Sequence, residues 1–188
     1  MPLLIYNNQS ITMKKILLMF LVATVFSLAT QNAFAQYEKG DKLLNVGIGL
    51  NSYYGGGVPV GVAFEYGITD EISVGAQIDF SRWSYGYGGY KWSYTFVPVA
   101  ARGSYHFGKL INLNTDKLDL YGGAALGFYI SKYSDNSGYS GYYDNAYGNK
   151  ALFGIFAGGR YYFKDNIAGF AEVGYGVSTL KLGVTFKF

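Results

Sequence analysis

The chain has 188 residues, with 15 lysines and arginines against 12 aspartates and glutamates, and its formal net charge is +3 at pH 7. This near balance argues against a nucleic-acid-binding protein, because such proteins carry a large excess of positive charge. Only 14% of the residues are charged and none is cysteine, so disulfides cannot stabilise the fold and few charges are available to coat a soluble exterior.

The first predicted element is a secretory signal peptide. The basic pair directly after Met13 precedes an apolar run and the small-x-small site Ala33-Phe34-Ala35. We expect export through the Sec pathway and cleavage after Ala35, with residues 1–12 upstream of a true start at Met13. Residues 36–188 then form one predicted domain, with 13 basic and 12 acidic side chains.

Beyond the signal peptide, eight segments alternate apolar and polar side chains, as expected for strands with two different faces. No run there approaches 18 consecutive apolar residues, so no membrane-spanning helix is predicted. An exported chain that crosses a membrane without helices must form a closed barrel. The segments are Lys42–Asn51, Val58–Tyr66, Ile72–Phe80, Tyr94–Phe107, Leu118–Ser131, Phe153–Phe163, Ile167–Tyr175 and Leu180–Phe188.

Charge is segregated between the two faces of these segments. On the apolar phase the charged residues are Lys42, at the first position of the first segment, and Arg82, where the third segment is expected to run out into a loop. A lysine or arginine near the middle of a lipid-facing surface costs about 2–4 kcal/mol, so this segregation favours lipid over water outside. A soluble sandwich or lipocalin-like barrel would invert the phases. The predicted fold is all-β: an eight-stranded antiparallel up-and-down transmembrane β-barrel.

With both chain ends in the periplasm, an even number of strands places the connections alternately outside and inside. The two longest external loops mix tyrosine with serine, glycine and asparagine, a composition suited to adaptable contact surfaces. The sequence offers no reason for the long second periplasmic connection. The external loops are Ser52–Gly57, Trp83–Trp92, Lys132–Lys150 and Gly176–Ser178, and the periplasmic ones are Gly67–Glu71, Gly108–Lys117 and Lys164–Asn166.

Five charged residues of the inward phase are candidates for an interior ion-pair network. Arg160 and Glu172 flank the turn between the sixth and seventh segments, and their phase places them opposite each other or one diagonal step apart. We predict a buried ion pair there, which Glu65, Asp79 and Arg102 could extend. Because side chains fill an eight-stranded barrel, we interpret the network as static, with a gate as the alternative.

Three motifs resemble segments of the small outer-membrane β-barrels of Gram-negative bacteria, the OmpA-type and OmpX-type proteins. They are Lys181-x-Gly183-x-x-Phe186-x-Phe188, Phe170-x-Glu172-Val173-Gly174-Tyr175-Gly176 and Arg160-Tyr161-Tyr162-Phe163. The resemblance covers the whole chain after residue 35. It implies that Lys181, Gly183, Phe186 and Phe188 form an assembly signal, and that periplasmic chaperones and the barrel-assembly machinery insert the protein.

We predict a monomer in the outer membrane, surrounded by lipid and lipopolysaccharide, with an envelope-structural or surface-interaction role. A narrow, gated, porin-like channel is the alternative, and a lipid-modifying outer-membrane enzyme is a third. The only histidine, His106, is expected at the periplasmic rim as a polar interfacial residue, and no Gly-x-Ser-x-Gly motif occurs. We therefore predict no catalytic, cofactor-binding or metal site, no nucleic-acid partner, and an external ligand that the sequence does not identify.

Overall fold

The computed structural model describes residues 37–52, 57–87, 90–108, 110–111, 115, 117–135 and 149–188. The predicted signal peptide and its cleavage site after Ala35 lie outside these residues. No helix in the described part of the chain is long and apolar enough to cross a membrane. The strands are β1 (Lys42–Ser52), β2 (Val60–Gly67), β3 (Ile72–Tyr87), β4 (Tyr90–His106), β5 (Leu118–Asp135), β6 (Lys150–Lys164), β7 (Ile167–Tyr175) and β8 (Ser178–Lys187).

These eight strands form one closed barrel in which every neighbouring pair is antiparallel. Each strand pairs with the next along the chain, and β8 closes the sheet against β1, from Leu43↔Lys187 to Ser52↔Ser178. Over the length that all eight strands share, closure leaves no sheet edge with unpaired backbone groups, which is what a lipid environment requires. The predicted all-β, eight-stranded, antiparallel up-and-down barrel is confirmed.

The two ends of the barrel differ. One end, here called the terminal end, carries Tyr37, Lys187 and the connections that follow β2, β4 and β6. The opposite end, the distal end, carries the connections that follow β1, β3, β5 and β7. At the distal end β3, β4 and β5 continue beyond their neighbours, because β2 pairs with β3 only as far as Phe80 and β6 pairs with β5 only as far as Tyr129. We call this part, residues 81–87, 90–96 and 130–135, the distal extension.

The distal extension corrects the predicted loop Trp83–Trp92. Most of this stretch is paired strand, with Trp83 opposite Tyr94 and Tyr85 opposite Trp92, and Arg82 also lies within β3. The ring centres of these two aromatic pairs are 5.4 and 5.1 Å apart. Aromatic residues favour strands and stabilise each other across a ladder, and here this preference prevails over the glycine and serine turn signals. The first residues of the predicted loop Lys132–Lys150 likewise belong to β5.

Polar and apolar side chains point to opposite faces of the barrel. In β2, Val60, Val62 and Phe64 are exposed on the outside, whereas Ala63 and Glu65 are buried inside. The same alternation continues around the sheet, and the largest outward side chains include Phe128, which is 66% exposed. Charged groups are buried and large apolar groups are exposed, the reverse of a soluble protein. We call this outward surface the apolar belt.

Glycines allow close packing where the barrel closes. Gly47 of β1 lies opposite Gly183 of β8, and the ring of Phe170 from β7 lies against both. A Cβ atom at Gly183 would overlap the carbonyl oxygen of Val46 and the Cα of Gly47. The seam between the first and last strands therefore has no room for a side chain at Gly183.

The interior is divided along the barrel axis. Towards the distal end, Ala100, Ala125, Tyr129 and Leu152 form a buried apolar cluster, against which Phe156 and Val177 pack. Towards the terminal end, the buried side chains are mainly charged or polar. Side chains thus fill the interior at both levels, as expected for a barrel of eight strands.

Candidate functional site

Arg160 of β6 lies at the centre of the charged part of the interior, with no exposed side-chain surface. Its Nη2 lies 2.5 Å from Oε1 of Glu65 in β2, and its Nη1 lies 2.9 Å from Oδ2 of Asp119 in β5. Its Nε donates to Oδ1 of Asn45 at 3.4 Å, and its guanidinium carbon stands 3.9 Å from the centre of the Tyr121 ring. One arginine therefore joins β1, β2 and β5 to β6.

Arg102 of β4 is the second buried arginine. Its Nη2 donates to Oε2 of Glu172 in β7 at 2.8 Å, and its Nη1 donates to Oε1 of Gln77 at 3.3 Å. Its Nε lies 3.8 Å from Oε2 of Glu65, and its guanidinium carbon is 4.0 Å from the centre of the Phe156 ring. Each arginine thus approaches two carboxylates and one aromatic face.

The carboxylate of Glu65 is shared by both arginines and is fully buried. Its Oε2 accepts from Ser73 at 2.9 Å and from Ser104 at 2.7 Å, while its Oε1 accepts from the amide of Asn45 at 2.7 Å. The amide oxygen of Asn45 also accepts from Thr185 at 2.7 Å. The resulting group, here called the interior cluster, takes side chains from all eight strands: Asn45, Glu65, Ser73, Arg102, Ser104, His106, Asp119, Tyr121, Arg160, Glu172 and Thr185.

His106 belongs to this cluster and is only 3% exposed, so its predicted place as a polar interfacial residue is wrong. Its Nδ1 lies 2.8 Å from Oδ1 of Asp119, and its Nε2 lies 3.1 Å from Oγ of Ser73. The inward phase of β4 turns the ring towards the barrel axis, and Tyr37 stacks on it with ring centres 3.5 Å apart. This cover shields the ring from solvent at the terminal end, the end at which the sequence places it.

Ser73, His106 and Asp119 are connected in the order of a Ser-His-Asp catalytic triad. However, Ser73 has no exposed surface and its hydroxyl donates to Glu65. A nucleophilic serine needs a free path to substrate and a proton that the histidine can accept. These contacts therefore hold Ser73 as a structural member of the cluster. Among the described residues, no group of three His, Asp or Glu side chains is arranged to bind a metal ion.

Tyr37 closes the terminal end over the interior cluster. It is buried, and its hydroxyl is directed at the backbone carbonyls of Ile72, at 2.7 Å, and Thr69, at 3.1 Å. Burial raises the pKa of the phenol above its ordinary value, so the hydroxyl remains a hydrogen-bond donor. Sequence reasoning missed this residue because it precedes the first alternating segment and carries no pattern of its own.

The interior cluster contains four of the five predicted network residues, namely Glu65, Arg102, Arg160 and Glu172. The fifth, Asp79 of β3, forms an ion pair with Lys181 of β8 instead. A Cβ atom at Gly61 would overlap the Asp79 carboxylate, so the glycine leaves space for it. Asp79 and Lys181 form a second buried pair at a different place in the barrel.

The predicted direct pair between Arg160 and Glu172 is replaced by other contacts. The register places Glu172 opposite Gly158, one diagonal step from Arg160. The long arginine side chain extends towards β2 and β5, while Glu172 binds Arg102 of β4. Sequence reasoning also left Asp119 out of the network, although its inward phase was a usable signal.

A small cavity lies inside the barrel. A cavity of about 20 Å³, enough for one or two water molecules, lies beside Gln77, Phe156, Glu172, Val177 and Lys181. A cavity of this size has no room for a substrate molecule.

The residues of the predicted assembly signal have structural contacts in the folded barrel. Lys181 pairs with Asp79 as described above, and Gly183 lies in the closing seam. Phe186 pairs in register with Leu44 of β1, and Phe188 follows the end of β8. The neighbouring Lys187 is buried and its Nζ lies 2.9 Å from a carboxylate oxygen of Asp41. Both lysines thus point inward, on the face that their phase indicates.

The outer face of β3, β4 and β5 changes character at the distal end. Three successive rows of outward side chains pass from apolar to basic to hydroxyl-bearing. The registers Arg82↔Thr95 and Thr95↔Lys132 define the middle row, in which Arg82 and Lys132 are exposed. The rows are Phe80, Val97 and Ile130, then Arg82, Thr95 and Lys132, then Ser84, Ser93 and Ser134.

Three solved structures are similar in fold. The outer membrane protein OprG from Pseudomonas aeruginosa gives a TM-score of 0.56 at 13% identity, covering 82% of this chain and 99% of that one. The N-terminal β-barrel domain of Pseudomonas aeruginosa OprF gives 0.51 at 17% identity, covering 80% and 98%. Ail, the attachment invasion locus protein of Yersinia pestis, in complex with the heparin analogue sucrose octasulfate, gives 0.50 at 14% identity, covering 80% and 99%.

No protein-family model matches the sequence, and no curated protein matches it either. At 13–17% identity, the similarity to solved structures concerns the fold. It agrees with the strand number, the closure and the inverted burial described above. This chain therefore has the fold of the small eight-stranded outer-membrane β-barrels, the OmpA-type and OmpX-type architecture.

Proposed function

We propose that this protein is a sealed, monomeric outer-membrane barrel without catalytic activity, which makes contacts at the cell surface through its distal extension. The terminal end faces the periplasm and the distal end faces outward, with the apolar belt in lipid. The observation that carries this proposal is the change from apolar to basic to hydroxyl-bearing rows on the outer face of β3, β4 and β5.

This change is what a membrane boundary requires. Lysine and arginine on a lipid-facing surface cost little near the interface and much more at the midplane. Arg82 and Lys132 stand one row beyond the apolar belt, where their charges can pair with phosphate groups of lipopolysaccharide. The hydroxyl-bearing row then lies outside the hydrocarbon. The distal extension accordingly projects beyond the lipid as a paired sheet.

The inward phase of the distal extension supports a surface-contact role. Trp83, Tyr85, Trp92, Tyr94 and Tyr133 lie on this face, and adjacent rings stand 5.0–5.4 Å apart. Tyrosine and tryptophan offer large, rigid contact areas together with hydrogen-bonding groups. A sheet held in place by the barrel presents them with little ordering cost on binding.

Location and orientation can be tested with single cysteines, because the natural chain has none. Ser84→Cys lies at the distal end and Thr115→Cys in the connection between β4 and β5 at the terminal end, and both positions are exposed. A membrane-impermeant maleimide should label Ser84→Cys in intact cells and Thr115→Cys only after lysis. The reverse pattern would invert the orientation. Recovery of the protein in the soluble fraction, without a heat-sensitive compact form on gels, would overturn the membrane placement.

A narrow channel is the rival function, and the filled interior argues against it. We expect no steady openings of the protein in planar bilayers. Steady openings that become larger in Arg160→Ala would show that the interior cluster limits a conducting path, and the sealed barrel would then be wrong.

An enzyme that modifies lipid is the second rival function. We expect an unchanged lipid A mass spectrum from cells that overproduce the protein; a new lipid A species would contradict the non-catalytic proposal.

A further inference from the structure

The connection between β4 and β5 begins at the edge of the apolar belt. The outward residues from Val97 in β4 to Phe107, directly after the strand, are all apolar or glycine. Ten residues at about 3.3 Å each, in a strand tilted by about 40°, span roughly 25 Å along the axis, the height of the apolar band in membrane barrels. Val97 lies next to the basic row at the distal end. Phe107 therefore marks the opposite boundary of the lipid.

The start of this connection lies against the outer wall. A Cβ atom at Gly122, an outward position of β5, would lie 3.4 Å from ring atoms of Phe107. The ring centres of Phe107 and Tyr105 are 5.3 Å apart. The carbonyl of Phe107 accepts a hydrogen bond from the N–H of Ile111 at 3.1 Å. This single turn presents Leu110, 68% exposed, and Ile111, 48% exposed, beside the belt.

We propose that Phe107, Leu110 and Ile111 form an interfacial anchor that inserts into the phospholipid leaflet at the terminal end. The anchor is continuous with the apolar belt, which makes the leaflet its occupant instead of a separate protein. Lys117, exposed where the connection rejoins β5, is placed to reach lipid phosphate while the apolar turn enters the leaflet. This inference rests on the membrane location proposed above, and it gives the long connection a purpose.

Depth-dependent fluorescence quenching tests the anchor. Trp83 and Trp92 are replaced by phenylalanine, and a single tryptophan is introduced as Leu110→Trp, Ile111→Trp, Val99→Trp or Thr115→Trp. Val99 is an outward residue of the apolar belt, and Thr115 is an exposed polar residue of the same connection. Each variant is reconstituted into phosphatidylcholine vesicles whose acyl chains carry bromine near the headgroup or near the chain end. Heat-dependent gel mobility verifies that each one has folded.

We expect Leu110→Trp and Ile111→Trp to emit at shorter wavelength than Thr115→Trp and to lose fluorescence mainly to bromine near the headgroup. Val99→Trp should be quenched by bromine deeper in the chain. If Val99→Trp is quenched but both connection variants behave like Thr115→Trp, the anchor is wrong while the membrane barrel stands. If folded Val99→Trp is also unquenched, the membrane location itself fails. Should Leu110→Trp not fold, Ile111→Trp gives the same reading.

Discussion

Arg160 shows most clearly how single residues hold this barrel together. It lies between two carboxylates, an amide and an aromatic face, and none of its side chain reaches solvent. A buried ion pair adds little stability compared with apolar packing, but removing one partner leaves the other charge unpaired in a dry interior. Each buried charge therefore constrains its neighbours far more strongly than an exposed charge would.

We expect Arg160→Met to lower the free energy of unfolding by about 3–5 kcal/mol, because Glu65 and Asp119 lose their shared cation. Urea unfolding in detergent micelles measures the change. Lys39→Met is the matched control, since Lys39 is an exposed lysine at the same end, and it should alter stability by less than about 0.5 kcal/mol. Adding Glu65→Gln to Arg160→Met should recover part of the loss, since the two residues interact directly. Equal stability of Arg160→Met and Lys39→Met would contradict the described cluster.

Tyr37 allows a test of how the terminal end is closed. Tyr37→Phe keeps the ring over His106 but removes the hydroxyl directed at Ile72, and should cost about 0.5–1.5 kcal/mol at neutral pH. Because the folded state raises the pKa of Tyr37 above the ordinary value of 10.0, its stabilising contribution is complete below pH 10 and falls as the pH rises further. The stability difference between wild type and Tyr37→Phe should therefore shrink above pH 10. A difference that grows there would contradict the buried, neutral phenol.

At the scale of elements, the pairing of β8 with β1 closes the sheet into a barrel. Gly183→Ala should destabilise the protein by about 1–3 kcal/mol, because the new methyl group meets backbone atoms of β1 and the Phe170 ring. Gly103→Ala is the control, since the nearest atom to its Cβ would be 3.9 Å away. The measured quantity is the fraction of heat-sensitive compact protein after refolding from urea into detergent. Equal refolding of both variants would show that the seam tolerates a side chain.

Phe188 tests a separate property of the last strand, its proposed recognition by the assembly machinery. Phe188→Ala should lower the amount of protein assembled in the outer membrane of cells, while its refolding in detergent stays close to wild type. Gly183→Ala should fail in both assays, because its defect is in packing. A Phe188→Ala variant that assembles normally in cells would count against the assembly signal.

At the scale of the whole molecule, the barrel and its distal extension are expected to be separable. The described residues of Ser84–Ser93 pair with one another across β3 and β4, so replacing this stretch by a two-residue turn should leave the compact heat-sensitive form intact. Arg82, Lys132 and Lys150 are exposed basic residues near this end, which makes immobilised heparin a suitable first probe. Cells carrying wild type should bind heparin more strongly than cells carrying the triple variant Arg82→Gln, Lys132→Gln and Lys150→Gln. Equal binding would remove this support for a surface-contact role.

Much of the fold could be predicted because strand patterns are local. Ile167–Tyr175 has the predicted bounds, and the phases place Glu65 and Arg160 inside. The errors occur where local signals conflict with pairing. The glycine and tyrosine residues around Tyr87 look like a loop until Tyr85 and Trp92 are placed opposite each other. A contact between strands then outweighs the turn signal, and the strand continues.

The sequence by itself determined the number of strands and which side chains share the apolar outer face, because a period of two fixes the direction of each side chain without reference to its neighbours. Only the tertiary structure decided which buried charges meet. Glu65 and Arg160 are 95 residues apart, on β2 and β6, and they come together across the barrel interior, where the closure and stagger of all eight strands set every distance. Because of that geometry, Arg160 pairs with Glu65 and Asp119 instead of Glu172, and His106 is buried.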